Sequence, residues 1–494
     1  MTHATMPYPP RSARWLTAVT AVAAVAAAAV LLVACASPAG IAPQAKMIDS
    51  ATLMAGAGAA PEVSTNWWKA YGDSALDGLV ERALRDSPSL AVAQSRVQRA
   101  QAAVDATDAA DKPRVDGGFD ATRQRYTEHG LIPPPLAGTT QTTSTLQLSG
   151  SWELDLFGRQ RAALDSAIGT QRSAEAEAQA ARVLLASNVV RQYVQLARSL
   201  EQRELLQRTL AQREEILALI RQRVQAGLDT NVELRQGEGA LPEMRQQIEA
   251  LDEQTRLTRH ALAALTAQGP RALDTLAPHL AQVQLVPLPA DVPADLIGRR
   301  ADVSAARWRI EAAAKDMQSA RAQFYPSVNL IAFAGFSSIG LNNLIEAGSR
   351  QYGVGPAIRL PIFDAGRLRA NLRGKAVDVD AAVAAYNGAV LDALREAADP
   401  IASLQSIDRQ QREQVSAQGS AESAYDLALQ RYRAGLGTYL TVLTAETNVL
   451  AQRRSAVDLK ARALDVQAQL ARALGGGYAP LPAPATTSVA ALTK

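Results

Sequence analysis

The chain is poor in cysteine, in aromatic residues and in net charge. A single cysteine among 494 residues excludes a disulfide framework and any cysteine-rich zinc or iron–sulfur centre. The four histidines, His3, His129, His260 and His279, are scattered, and no pair of them has metal-ligand spacing. Lys plus Arg number 51 and Asp plus Glu 48, a formal charge of +3. No net field therefore draws the chain to phosphate, which excludes nucleic acid as a partner on charge. There is no nucleophile elbow and no phosphate loop, so neither an enzyme nor a bound cofactor is expected. What remains is apolar residues at 48%, many of them Ala, and aromatics at only 4%. Ala favours helix and buries little area. With abundant Arg, Gln and Glu, it points to long packed helices rather than a wide globular core.

Arg11 and Arg14 precede an apolar run from Trp15 to Val33, which stops at Leu32-Val33-Ala34-Cys35. A basic start, an apolar stretch and small residues before a cut site define a secretory signal over 1–34. A transmembrane anchor is the alternative, since the run could nearly span a bilayer. An anchor does not require the only cysteine to sit where the run stops. Leu-Val-Ala-Cys resembles the bacterial lipoprotein box, which implies cleavage before Cys35 and lipid attached to it; several acyl chains make a stable anchor. Ala36, in place of Asp, implies onward passage to the outer membrane. Residues 35–60, rich in Ala, Gly and Pro, are expected to be a flexible tether.

The remainder is duplicated. Gln222-Arg223-Val224-Gln225-Ala226-Gly227-Leu228 matches Gln430-Arg431-Tyr432-Arg433-Ala434-Gly435-Leu436, and Gly158 matches Gly366 at the same offset. Upstream, Arg96, Ala100 and Pro113 correspond to Arg309, Ala313 and Pro326 at a slightly larger offset. Each half reads as helix, strand pair, very long helix, turn, helix. Residues 170–226 contain no Gly or Pro, and at roughly 1.5 Å per residue they span about 85 Å. Leu206, Leu210, Leu217, Ile220 and Val224 form a coiled-coil-like stripe. Gly227 and Gly435 end the long helices, and second helices follow. Pro400 lies inside the second long helix and is expected to bend it.

The strand pairs fall at about 115–125 and 145–157, then 328–337 and 352–363. Leu146, Leu148, Trp152, Leu154 and Leu156 alternate with polar residues, and Tyr352, Val354, Ile358, Leu360 and Ile362 share one parity. This period of two is the signature of a transmembrane barrel strand, although an ordinary half-buried sheet also shows it. Four strands cannot close a barrel, and lipid tolerates no open edge. If these strands cross a membrane, several chains must share one barrel. The resulting division is a first repeat over 61–268, a linking equatorial segment over 269–294, a second repeat over 295–475 and a tail over 476–494.

Several motifs then coincide: Asn66-Trp67-Trp68 with Tyr71-Gly72-Asp73, Arg299-Arg300-Ala301-Asp302-Val303, Leu360-Pro361-Ile362-Phe363-Asp364-Ala365-Gly366, and the closing Ala473-Leu474-Gly475-Gly476-Gly477. In combination they resemble the TolC-like outer membrane factors, most nearly the OprM/NodT branch of lipoproteins. The resemblance implies a mostly α fold with a small transmembrane β part. It implies a homotrimer with a helical tunnel and one shared 12-stranded barrel in outer-membrane lipid. It also implies a periplasmic adaptor and an inner-membrane efflux pump as partners. The same fold serving type I protein secretion, or a pore-less lipid-anchored coiled-coil scaffold, are the rival readings.

The resemblance places the adaptor-contact tips at Gly227, Leu228, Gly435 and Leu436. It places a gate at Tyr432 with Glu233 as its carboxylate partner. A phenol donating to a carboxylate is a charge-assisted bond, but Tyr432 packing on its own helix and Glu233 as a favourable charge near a helix start are equally simple readings. Where relatives carry an acidic ring, this chain has Thr441 and Thr444, so cation selectivity is not carried over. Leu440 and Leu443 beside them are candidates for an apolar constriction instead. Arg221, Arg223, Arg431 and Arg433 flank the tips and either meet the adaptor or are solvated.

Overall fold

The computed structural model describes residues 37–49, 63–286 and 296–478. The signal segment, Cys35, most of the linker beyond 286 and the tail beyond 478 lie outside them. The helices are α1 (Ser74–Asp86), α2 (Pro88–Ala110), α3 (Arg159–Gln225), α4 (Asn231–Leu265), α5 (Ala301–Ala322), α6 (Arg367–Arg433) and α7 (Tyr439–Ala473). The strands are β1 (Arg114–Arg125), β2 (Thr140–Leu154), β3 (Ser327–Ile339) and β4 (Arg350–Arg359).

The duplication is kept in the lengths of the helical hairpins. Helices α3 and α6 are each 67 residues, and α4 and α7 are each 35. Both long helices start after a left-handed glycine, Gly158 or Gly366, whose φ of 75° or 85° lets the chain leave the sheet sharply. Helix α6 runs unbroken through Pro400, which is buried. A second proline, Pro242, lies inside α4, where buried Ala240, Leu241 and Met244 hold the helix in place. Packing here outweighs the cost of proline's missing donor. Gly169 lets α3 approach α5 closely, since a Cβ there would meet Ala312 at 3.0 Å.

The four strands form one antiparallel sheet in the order β1-β2-β3-β4. Its register decides what each face is. Phe119 pairs with Leu146, Leu146 with Phe336, Leu148 with Ala334, and Ala334 with Tyr352. Val115, Trp152, Leu330, Val354 and Ile358 fall on that same face, and all are exposed in the single chain. The opposite face carries Asp116, Asp120, Gln147, Ser149, Ser151, Asn329, Ser337 and Gln351, with Ile331, Phe333, Ile339 and Ala357 as apolar exceptions. The ring of Phe333 lies over Gly353, which has no side chain to obstruct it.

The largest core lies at mid-height, where Trp67, Trp68 and Tyr71 pack with Leu76, Val80, Val190, Tyr193 and Leu464. Asp73 caps α1 through the amides of Ala75 and Leu76 and accepts the Tyr193 hydroxyl at 2.6 Å. The triglycine after α7 is more than the end of a helix. A Cβ on Gly475 would sit 2.0 Å from the Arg299 carbonyl, and one on Gly477 would sit 2.3 Å from Thr65 Cα. It is the crossing point of the first and second repeats.

Residues 37–49 depart from the flexible tether expected of their composition. They lie extended along α6, in the same direction. Asp380 Oδ1 accepts from the amides of Gln44 and Ala45 at 2.7 Å each. Asn387 Oδ1 accepts from Ile48 at 2.9 Å, and the Arg369 guanidinium donates to the Ser37 carbonyl. Ile41 and Ala45 pack on the α5–α6 core.

Candidate functional site: the helical tips

Both hairpin turns are built alike. Gly227 and Gly435 have φ of 72° and 75°. The next amide, of Leu228 or Leu436, returns to the carbonyl of Arg223 or Arg431 at 2.8 Å, which closes the helix end in a Schellman-like turn. Leu228 and Leu436 project into solvent, 66% and 70% exposed. Thr230 then caps α4 and Thr438 precedes α7.

The two turns are fastened to each other at one buried point. Tyr432, the last residue but one of α6, is fully buried, and its hydroxyl donates to Asp229 Oδ2 at 2.5 Å. Asp229 also accepts from Arg223 Nε at 3.0 Å and Nη2 at 3.3 Å. The Arg223 guanidinium lies 4.8 Å over the Tyr432 ring, a cation–π contact. Tyr432, Tyr439, Ile216, Ile220 and Val442 form the apolar cluster beneath. Burial alone would raise the Asp229 pKa, but the bonds from Arg223 and Tyr432 outweigh it and hold the carboxyl below the usual range. Burial, then the bond to Asp229, raise the Tyr432 phenol, so it stays a donor.

This corrects the partner expected for Tyr432. Glu233 is the third residue of α4, and its carboxylate turns back to the Thr230 amide at 3.0 Å and to the Thr230 hydroxyl in a capping box. That bond satisfies the helix start and leaves Glu233 pointing away from the seam. Asp229, one residue before the cap, faces the second hairpin instead. Its signal in the sequence was the Arg223–Asp229 pair bracketing Gly227.

The other expected positions are divided between two faces. Leu440, Thr441 and Thr444 are exposed and line a shallow groove with Ala421, Ala424 and Ala428. Leu443 turns the other way and packs partly buried on the Tyr432–Tyr439 cluster, so it does not join Leu440 in a constriction within this chain. Thr444 Oγ1 donates to the Leu440 carbonyl and Thr438 bonds Thr441. Of the four arginines flanking the tips, Arg223 is committed to Asp229, Arg221 lies 3.8 Å from Glu238, and Arg431 and Arg433 are exposed. Among the described residues, no three His, Cys, Asp or Glu are grouped to hold a metal, and no helix is long and apolar enough to cross a membrane.

Long paired hairpins joined to a small sheet with one apolar, outward face define a tubular channel subunit of the outer-membrane type. Residues 79–268 and 292–476 match the family described as outer membrane efflux protein, and the chain belongs to that family. It is 32% identical to the multidrug resistance outer membrane protein MdtQ of Escherichia coli O157:H7, over 84% of this chain and 88% of that protein. It is 35% identical to the fusaric acid resistance protein FusA of Burkholderia cepacia, over 69% of this chain and 67% of that one. The solved structure of the outer membrane protein VceC of Vibrio cholerae superposes with a TM-score of 0.79 at 35% identity, over 84% of this chain and 99% of that chain. The chain is thus an outer-membrane efflux channel that reaches into the periplasm.

Proposed function

We propose that the chain is the passive exit duct of a tripartite efflux system. It works as a homotrimer, anchored by lipid on Cys35. It conducts small toxic compounds delivered by an inner-membrane pump through a periplasmic adaptor. It performs no catalysis and binds no cofactor; the pump supplies the energy. The observation that carries this reading is the sheet. Its one apolar face suits lipid, yet the four strands leave β1 and β4 as open edges. An open edge cannot stand in hydrocarbon, whereas three copies close one barrel of twelve strands. The relatives' names, multidrug and fusaric acid resistance, support small organic cargo over secreted protein.

The tips are the closed gate on this reading, and Tyr432–Asp229–Arg223 is the latch. The exposed Gly227, Leu228, Gly435 and Leu436 are the surface an adaptor reads. Opening then means moving the α6–α7 hairpin away from the α3–α4 hairpin, and adaptor binding shifts that equilibrium. The test is conductance of the purified protein in planar bilayers. Wild type is expected to conduct poorly and Tyr432→Phe or Asp229→Ala to conduct at least several-fold more. Absence of conductance in all three would overturn the duct.

A further inference from the structure

The two hairpins also meet along the α3–α7 seam, well above the latch. Three charge pairs cross it: Arg191–Asp465 at 2.6 Å, Arg198–Asp458 at 2.6 Å and Arg213–Glu446 at 2.8 Å. The first two are substantially exposed. Arg213 and Glu446 are not, with side chains 9% and 7% exposed. Arg213 also reaches the Ala240 carbonyl of α4 at 3.4 Å, so one guanidinium joins three helices of the two hairpins. The other nearby cation, Arg453, is taken by Glu422 at 2.8 Å, which leaves Arg213 as the counter-charge of Glu446. At about 1.5 Å per residue, the pair stands roughly 18 Å above the end of α3.

We infer that the Arg213–Glu446 pair is the pivot of the gate: it holds the two hairpins in register while the tips below it part. The inference rests on the tips being the gate. The physical argument is one of replaceability. Water can take over either partner of an exposed pair as the seam shifts, so such pairs do not resist movement. A buried pair has no such substitute, and parting it strands a charge in an apolar seam. An apolar contact would hold the hairpins together but would tolerate sliding and rotation. A charged pair with fixed hydrogen bonds allows one register. Above the pivot the seam stays shut. Below it, Ile216, Ile220, Tyr432, Tyr439 and Val442 form a buried apolar contact that leads down to the latch.

Bilayer conductance separates this role from mere structural support. Arg213→Met and Glu446→Gln, each with the Tyr432–Asp229 latch intact, are expected to raise conductance about fivefold or more. The reversed pair, Arg213→Glu with Glu446→Arg, is expected to return it to near wild type. Melting of each detergent-solubilised variant is followed in parallel. A fall in melting temperature with conductance unchanged would overturn the pivot and leave a structural pair. Failure of the reversed pair to restore closure in a protein that still folds would overturn it too. Tyr432→Phe serves as the reference. If it conducts more and the pair variants do not, only the pivot falls. If no variant conducts, the duct itself falls.

Discussion

At the scale of single residues, the proposed latch turns on one carboxylate. Asp229 is held below its ordinary pKa in the folded protein, so its bonds contribute fully above the unfolded value near ~4 and are lost only as pH falls through the lower folded value. In a Glu446→Gln background, where the buried pivot carboxyl with its raised pKa cannot titrate, conductance should therefore stay flat from neutral pH down to about 5 and rise only in stronger acid. A rise already between pH 7 and 5 would show that another group controls the tip. Glycines offer a second contrast. Gly227 has φ +72° with open space around it, while Gly475 has φ +98° and a carbonyl 2.0 Å from where a Cβ would stand. Gly227→Ala should cost about 1–2 kcal/mol from backbone strain alone. Gly475→Ala should cost several kcal/mol more because the crossing of the repeats must open. Thermal melting of the two variants checks the order. Glu233 shows where reading residues singly goes astray: Thr230-x-x-Glu233 is itself a capping-box pattern, and it outcompeted the role carried over by resemblance.

At the scale of elements, the long helices were legible because so little interrupts them. Breaks at Gly158, Gly227, Gly366 and Gly435 set their ends, and the 208-residue offset between halves follows from equal helix lengths. Strand alternation was legible in β2 and β4 and weak in β3, where Ile331 and Phe333 occupy the otherwise polar face. Only the register made the sheet one-sided. The segment 37–49 was not legible, since its composition says tether while its partners Asp380 and Asn387 lie more than 300 residues away. Proline ends neither helix: Pro400 and Pro242 sit within continuous helices whose packing holds them. The two faces of β4 provide a direct prediction. Val354→Arg places a charge on the lipid face and should cost about 2–4 kcal/mol per copy. Gly355→Arg, one residue on, lies on the opposite, mostly polar face, where an added Cβ meets no atom within 4 Å. The amount of protein resisting urea extraction from outer membranes should fall sharply for the first and little for the second. Equal losses would mean that the faces are assigned wrongly.

At the scale of the whole molecule, the chain as it stands is unfinished. It exposes Val115, Leu148, Tyr352, Val354 and Ile358 on one face of the sheet, and an apolar face of this kind marks an interaction surface. Its sheet ends in two open edges. Val377, Val415 and Leu427 are exposed along α6, as expected of helices that meet further helices. Lipid would cover the sheet face, but only other strands can cover the edges. Further copies of the chain must therefore supply the missing strands, and the mass of the detergent-solubilised protein by native mass spectrometry counts them. Three copies in one stable complex is the result this account predicts. A monomer would contradict it, because four strands would then have no barrel to join and no duct could exist.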